Sequence, residues 1–116
     1  MIYGEKFLNI NEAFGGESGE INKKLDSIYK EGKSKIDEEF KGSAEAYKSQ
    51  NYSKMKTHCN NVIKISNKMI KDINAINTTK MNGIGRSKRN KYINYATRMQ
   101  DEAKLGIDMA NKGSKK

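Results

Sequence analysis

The only histidine and the only cysteine of this 116-residue chain are neighbours, His58 and Cys59. A Cys–His pair is the raw material of a nucleophile with its base, or of a metal site. Adjacent residues on a helix point about 100° apart, so these two cannot jointly grip an ion with local help. A nucleophile–base pair also needs a third group to orient the base, and none is signalled. Cys59 therefore reads as a small core residue and His58 as a residue at the core border. The chain is expected to be non-enzymatic, with no catalytic residues, no metal ligands and no cofactor. The run Asp37, Glu38 and Glu39 is the other group that suggests acid–base or cation chemistry. Consecutive helix positions splay around the axis, and Lys35 and Lys41 flank the run, which predicts a solvated face.

Phosphate binding is better supported. Gly83 and Gly85 precede Arg86, Lys88, Arg89 and Lys91. A Gly-x-Gly loop ahead of a helix presents backbone N–H groups to phosphate, and the helix N-terminus adds partial positive charge. The Lys-Ser/Thr ending of a nucleotide-binding P-loop is missing and no strand is predicted before the glycines, which argues against nucleotide hydrolysis. The prediction is non-specific contact with nucleic-acid backbone by Lys80, Arg86, Lys88, Arg89, Lys91 and Arg98, with Tyr92 and Tyr95 nearby to stack. The competing reading of the same residues is an ordinary solubilising surface. No helix-turn-helix, zinc-finger or RNA-recognition signature supports base-specific readout.

The charge distribution points the same way. Residues 1–50 carry eight Lys against ten Asp and Glu, and residues 51–116 carry fifteen Lys and Arg against four acids, giving −2 and +11 within the net +9. A near-neutral half joined to a strongly basic half predicts a polyanion partner, because such a field attracts phosphate whatever the fold.

These side chains must be carried by a modest scaffold. At this length one domain is the most the chain can form. With 34% hydrophobic and 32% charged residues, its core must be thin. No run of 18 apolar residues predicts a membrane span. Met1 to Phe14 lacks the basic start and long apolar stretch of a secretion signal. A lone cysteine allows no intramolecular disulfide and fits a reducing compartment.

The periodicity is helical throughout. Ile21, Leu25, Ile28, Gly32, Ile36, Phe40, Ala44 and Tyr47 recur at steps of three or four and predict one helix face. Gly32 and Gly42 weaken this helix and favour a kink or break near Gly42. Ser49, Gln50 and Asn51 offer a turn and a cap. A second stripe, Tyr52, Met55, Cys59, Val62, Ile63, Ser66, Met69, Ile70, Ile73 and Ile76, keeps close to a heptad period. Asn77 to Gly85 reads as a polar, glycine-punctuated loop. A third helix over about Ser87–Asn111 carries Tyr92, Ala96, Met99, Ala103, Ile107 and Ala110 on one face. The expected fold is all-α: three amphipathic helices as an antiparallel hairpin or small bundle. Residues 1–16 form a short irregular head, 17–112 the helical domain, and 113–116 a solvated basic tail. Ser43–Lys56 resembles the turn of a tetratricopeptide or microtubule-interaction helical hairpin; with no second repeat, it reads as a helix turn.

The head has a character of its own. Ile10-Asn11-Glu12-Ala13 has the spacing aliphatic, any residue, Glu, small residue. This is similar to the cut site of the prohead protease of T-even-type tailed bacteriophages. The head as a whole resembles the capsid-targeting peptide of the internal head proteins of those phages, and Tyr3, Glu5, Phe7 and Leu8 match its aromatic, acidic and paired apolar character. The resemblance implies a small basic virion protein packed with DNA, trimmed between Glu12 and Ala13, and found in the virion interior or, after ejection, the host cytoplasm. A second reading makes Ile2, Phe7, Leu8, Ile10 and Phe14 an apolar strap against the helices, ended by Gly15-Gly16.

Two functions follow as expectations. The first is a phage-type virion protein that binds packaged DNA non-specifically through its basic C-terminal half. The second is a small helical adaptor or inhibitor that docks a protein partner through the second helix, whose Met55, Met69 and Ile residues exceed what a thin core needs. A bundle this polar is marginal as a single chain, which favours a homo-oligomer.

Overall fold

The computed structural model describes the backbone of residues 10–115 and the side chains of residues 19–115. Three helices follow one another as α1 (Ile10–Lys48), α2 (Tyr52–Asn74) and α3 (Gly83–Ser114), with a single 3-10 turn at Thr78–Lys80 between the last two. They pack as an elongated antiparallel bundle measuring 65 × 24 × 14 Å.

Asparagine starts each element after the first turn. Asn51 accepts from the Lys54 N–H at 3.2 Å, Asn77 from the Thr79 N–H at 3.0 Å, and Asn82 from the Gly85 N–H at 2.8 Å. Each satisfies one donor that a helix start leaves unpaired. The turn predicted at Ser49–Asn51 is there, and it is tight enough to hold Gln50 at φ 60°. Asn82 also explains why α3 begins at Gly83, four residues earlier than the apolar pattern indicates.

The core is a set of seven-residue seams. Of the predicted stripe, Met55, Cys59, Val62, Ser66, Met69 and Ile73 on α2 and Ile76 just beyond its end are buried, while Tyr52, Ile63 and Ile70 are half-buried. On α3 the seam runs through Tyr92, Ala96, Ala103 and Ala110. Steps alternating between three and four keep a seam aimed at its neighbours, as in coiled coils. Leu25, Ile36, Val62 and Ile73 are fully excluded from solvent, each contributing about 1.5–3 kcal/mol of burial.

Bare backbone lets the helices close up. A Cβ on Gly106 would stand 2.6 Å from the Cys59 Sγ, and one on Gly113 would overlap the Tyr52 ring. Gly32 faces Met69 in the same way, and Gly42 faces the His58 ring.

That contact corrects the expectation at Gly42. α1 runs unbroken through it to Lys48, because packing against His58 outweighs a local helix penalty of up to about 1 kcal/mol. The inward face of α1 also differs near its end. Ser43 and Ala46 are buried, whereas Ala44 and Tyr47 are exposed. The linker is not purely polar either, since Met81 is buried beside Ile73, Ile76 and Tyr92. The solvated tail expected at 113–116 is helical through Ser114, held by Gly113 against Tyr52.

The backbone of residues 10–16 belongs to α1, so Gly15-Gly16 does not end a strap and the Glu12–Ala13 bond lies in a helical turn. The rest of the expected head, residues 1–9 with Tyr3, Glu5, Phe7 and Leu8, lies outside the described residues.

Candidate nucleic-acid interface

The six cations named from the sequence do not form one cluster. Lys88 reaches across to α1 and donates to both carboxylate oxygens of Asp26, at 2.8 and 2.7 Å. Arg98 lies over the Tyr95 ring, 5.9 Å from its centroid, and Tyr95 meets Tyr29 of α1 edge-on at 5.2 Å. Lys91 sits three residues from Lys88 and seven from Arg98, which places it on the same flank of α3. Arg89 turns the other way and donates to Asn74 of α2 at 2.8 Å. Arg86 reaches the Thr78 carbonyl at 3.5 Å, where α2 gives way to α3. Lys80 is exposed in the 3-10 turn.

The Gly-x-Gly segment is not a phosphate loop. Gly83 and Gly85 are already helical, the Gly85 N–H is taken by Asn82, and the Gly85 backbone packs against Asn22 and Met81. Tyr92 is not free to stack on a base either. Its ring is stacked on Tyr29 with centroids 4.3 Å apart, and its hydroxyl donates to Asp26 at 2.6 Å. Burial and that hydrogen bond push the Tyr92 hydroxyl up to about 12. The Lys88 ammonium, followed by the Tyr92 hydroxyl, holds the Asp26 carboxyl below its usual range. On this flank the Lys88 charge is therefore cancelled inside the protein, whereas Lys91 and Arg98 are exposed and no ion pair among the described residues joins them to a carboxylate.

On the α2–α3 flank the cations bonded across the helices meet amides instead of a carboxylate. Lys56 donates to Asn111 at 3.0 Å, Arg89 to Asn74, and Gln100 to Asn67. An amide partner orients a cation without neutralising it. Lys64 and Lys71 are exposed seven residues apart on the outer face of α2 next to the edge that meets α3, and Lys104 is exposed on α3. Among the described residues no ion pair joins Lys56, Lys64, Lys71, Arg86, Arg89 or Lys104 to a carboxylate. The acid of α2, Asp72, lies on the far side with Lys68 at 2.7 Å. Sequence reasoning missed the four lysines. The signal available for them was the seven-residue spacing of Asn60, Asn67 and Asn74, which marks the edge facing α3.

The remaining titratable clusters make contacts within and between the helices. His58 Nδ1 lies 2.8 Å from Glu39 Oε1, which also accepts from the Asn61 amide at 3.1 Å. Burial alone would raise the Glu39 carboxyl, but the His58 and Asn61 hydrogen bonds outweigh it and hold it below its ordinary value. Glu39 thus joins α1 to α2 instead of belonging to a solvated face, while Asp37 pairs with Lys33 at 2.9 Å in solvent as expected. Cys59 is buried with its sulfur 3.4 Å from the Ser43 hydroxyl, and His58 is half-buried at the core edge. Among the described residues no group of three or more His, Cys, Asp or Glu is arranged to hold a metal, and no helix is long and apolar enough to cross a membrane. Of the apolar excess expected on α2, Met55 and Met69 are buried, while Ile63, Ile65 and Ile70 are half-buried.

No protein-family model, curated protein or solved structure matches this chain.

Proposed function

We propose that this protein is a non-enzymatic binder of nucleic-acid backbone that uses the α2–α3 flank. The observation that carries the reading is the contrast between Lys88 and the cations that bridge α2 and α3. Lys88 is neutralised by Asp26, whereas Lys56 and Arg89 are held by neutral amides and keep their full charge. Lysines about 10–12 Å apart along the axis of α2 (Lys56, Lys64, Lys71), spread over the outer side of the helix, suit contact with phosphates and not with base edges.

Within that reading, the finer proposal is a phage-type virion protein that neutralises packaged DNA. Its support is the resemblance of the head to a capsid-targeting peptide, together with the net charge of +9. Processing between Glu12 and Ala13 requires the first turn of α1 to unwind, because proteases act on extended chain. Mass spectrometry of the protein from particles should show a chain beginning at Ala13; an intact start removes the processing step but leaves backbone binding standing.

Gel shift with random-sequence duplex DNA across a salt series tests the main reading. If about five phosphates are contacted, affinity falls with a log–log slope of about −4 to −5. No retardation at low ionic strength would refute it.

A further inference from the structure

We propose that the outer surface where the second half of α1 lies beside the second half of α3 is an interface with a second copy of this chain, forming a two-fold dimer. Large apolar side chains are exposed at only four places among the described residues, and three of them fall here: Tyr47 at 46%, Leu105 at 64% and Met109 at 45%. The fourth, Ile84, lies at the opposite end of α3. Phe40, half-buried, and Ala44, exposed, complete the patch on α1.

The register of the two helices puts these residues together. Asp26 bonds Lys88, 62 residues on, and Tyr29 stacks on Tyr92, 63 residues on. The same offset places Ala44 level with the gap between Leu105 and Met109, and Tyr47 level with Met109 and Ala110. Tyr47 also meets the Tyr52 ring, which rests against Gly113 one turn beyond Met109.

The charges at the two rims identify the occupant. Beyond the patch on α1 come Lys41 and Lys48, seven residues apart; beyond it on α3 come Asp101 and Asp108, also seven apart. Both pairs therefore span about 10.5 Å along the axis. A two-fold axis parallel to the helices sets α1 of one copy on α3 of the other. That operation brings each basic rim against an acidic rim and seats Ala44 in the notch between the partner's Leu105 and the partner's Met109. A two-fold interface must be complementary to itself, and this patch is. Asp108 now pairs with Lys112 at 3.2 Å in solvent, an exposed contact that exchanges at little cost.

Sedimentation velocity on the full chain, from about 1 to about 200 µM, tests the dimer. The expected result is a reversible monomer–dimer transition within that range. Leu105→Asn and Met109→Asn should each raise its midpoint by about tenfold or more, the loss expected when a central apolar anchor is removed. Ile84→Asn, equally exposed but outside the patch, should leave it unchanged. Lys41→Glu should weaken association, and combining it with Asp101→Lys, the acid nearest its level on the partner, should restore it. Circular dichroism checks that each variant keeps its helix content. A monomer throughout the range overturns the proposal, as does a dimer indifferent to Leu105→Asn or as sensitive to Ile84→Asn.

Discussion

Tyr92 donates a 2.6 Å hydrogen bond to Asp26 while its ring lies nearly parallel to Tyr29, so one α3 side chain fastens two turns of α1. The arrangement ties α3 to α1 near the end where the 3-10 turn enters the bundle. It also removes Lys88 and Tyr92 from any role in meeting a ligand, since both are committed to Asp26.

Replacing Tyr92 with Phe keeps the stack and deletes the hydrogen bond. The expected loss is about 1 kcal/mol, at the low end for a bond to a charged group, because Asp26 is half exposed and keeps Lys88 and water. Tyr92→Ala also removes the ring and should cost roughly 3 kcal/mol or more. Urea titration with an unchanged m-value would verify both; equal losses for the two variants would contradict the division.

The pH dependence follows from the same contact. A hydroxyl raised to about 12 in the folded chain, from about 10 when unfolded, favours the fold fully below pH 10. That contribution disappears as pH climbs towards 12, so the melting temperature should drop across this window and drop less in Tyr92→Phe. At the acid end Asp26 and Glu39 both lie below their ordinary values. Their contribution is complete above about pH 4 and is lost as pH falls through the folded values. Thermal melts of Glu39→Gln should start lower at neutral pH and show a shallower decline below pH 4.

Two glycines should respond in opposite directions to the same substitution. Gly19→Ala meets nothing within 4 Å and should stabilise by about 0.5–1 kcal/mol through helix propensity. Gly106→Ala drives a methyl to 2.6 Å from the Cys59 sulfur and should cost about 1–3 kcal/mol. Adding Cys59→Ala to Gly106→Ala makes room for that methyl, and the double variant should recover part of the loss in chemical denaturation.

For nucleic acid, Lys64→Gln with Lys71→Gln should weaken duplex binding and flatten the salt slope by about 1.8, at about 0.9 per lost contact. Lys88→Gln should lower stability and leave the slope alone, because Asp26 already consumes that charge. Equal slopes for wild type and the double variant would move the interface elsewhere on the molecule.

Much of the scaffold was legible before any coordinate. Of the stripe from Met55 to Ile76, all but the half-buried Ile63 and Ile70 are buried, and Asn51 caps α2 where the turn was predicted. The candidate site was legible only as a charge total. Lys88 and Arg89 are adjacent and alike in sequence, yet one meets a carboxylate on α1 and the other an amide on α2. A step of one residue turns a side chain by about 100°, enough to change which helix it faces.

Local periodicity and capping determined, from the sequence alone, that this chain forms three amphipathic helices with a cationic second half. Those signals act within a few turns and need no partner helix. Only the tertiary structure decided which charges survive and which apolar residues stay outside. Near the α1–α2 turn the facing positions are small (Ser43, Ala46, Gly106, Ala110 and Gly113), and the helices close until nothing larger fits between them. Ala44 and Tyr47 are left on the outside as a result, although the apolar spacing of α1 runs straight through them.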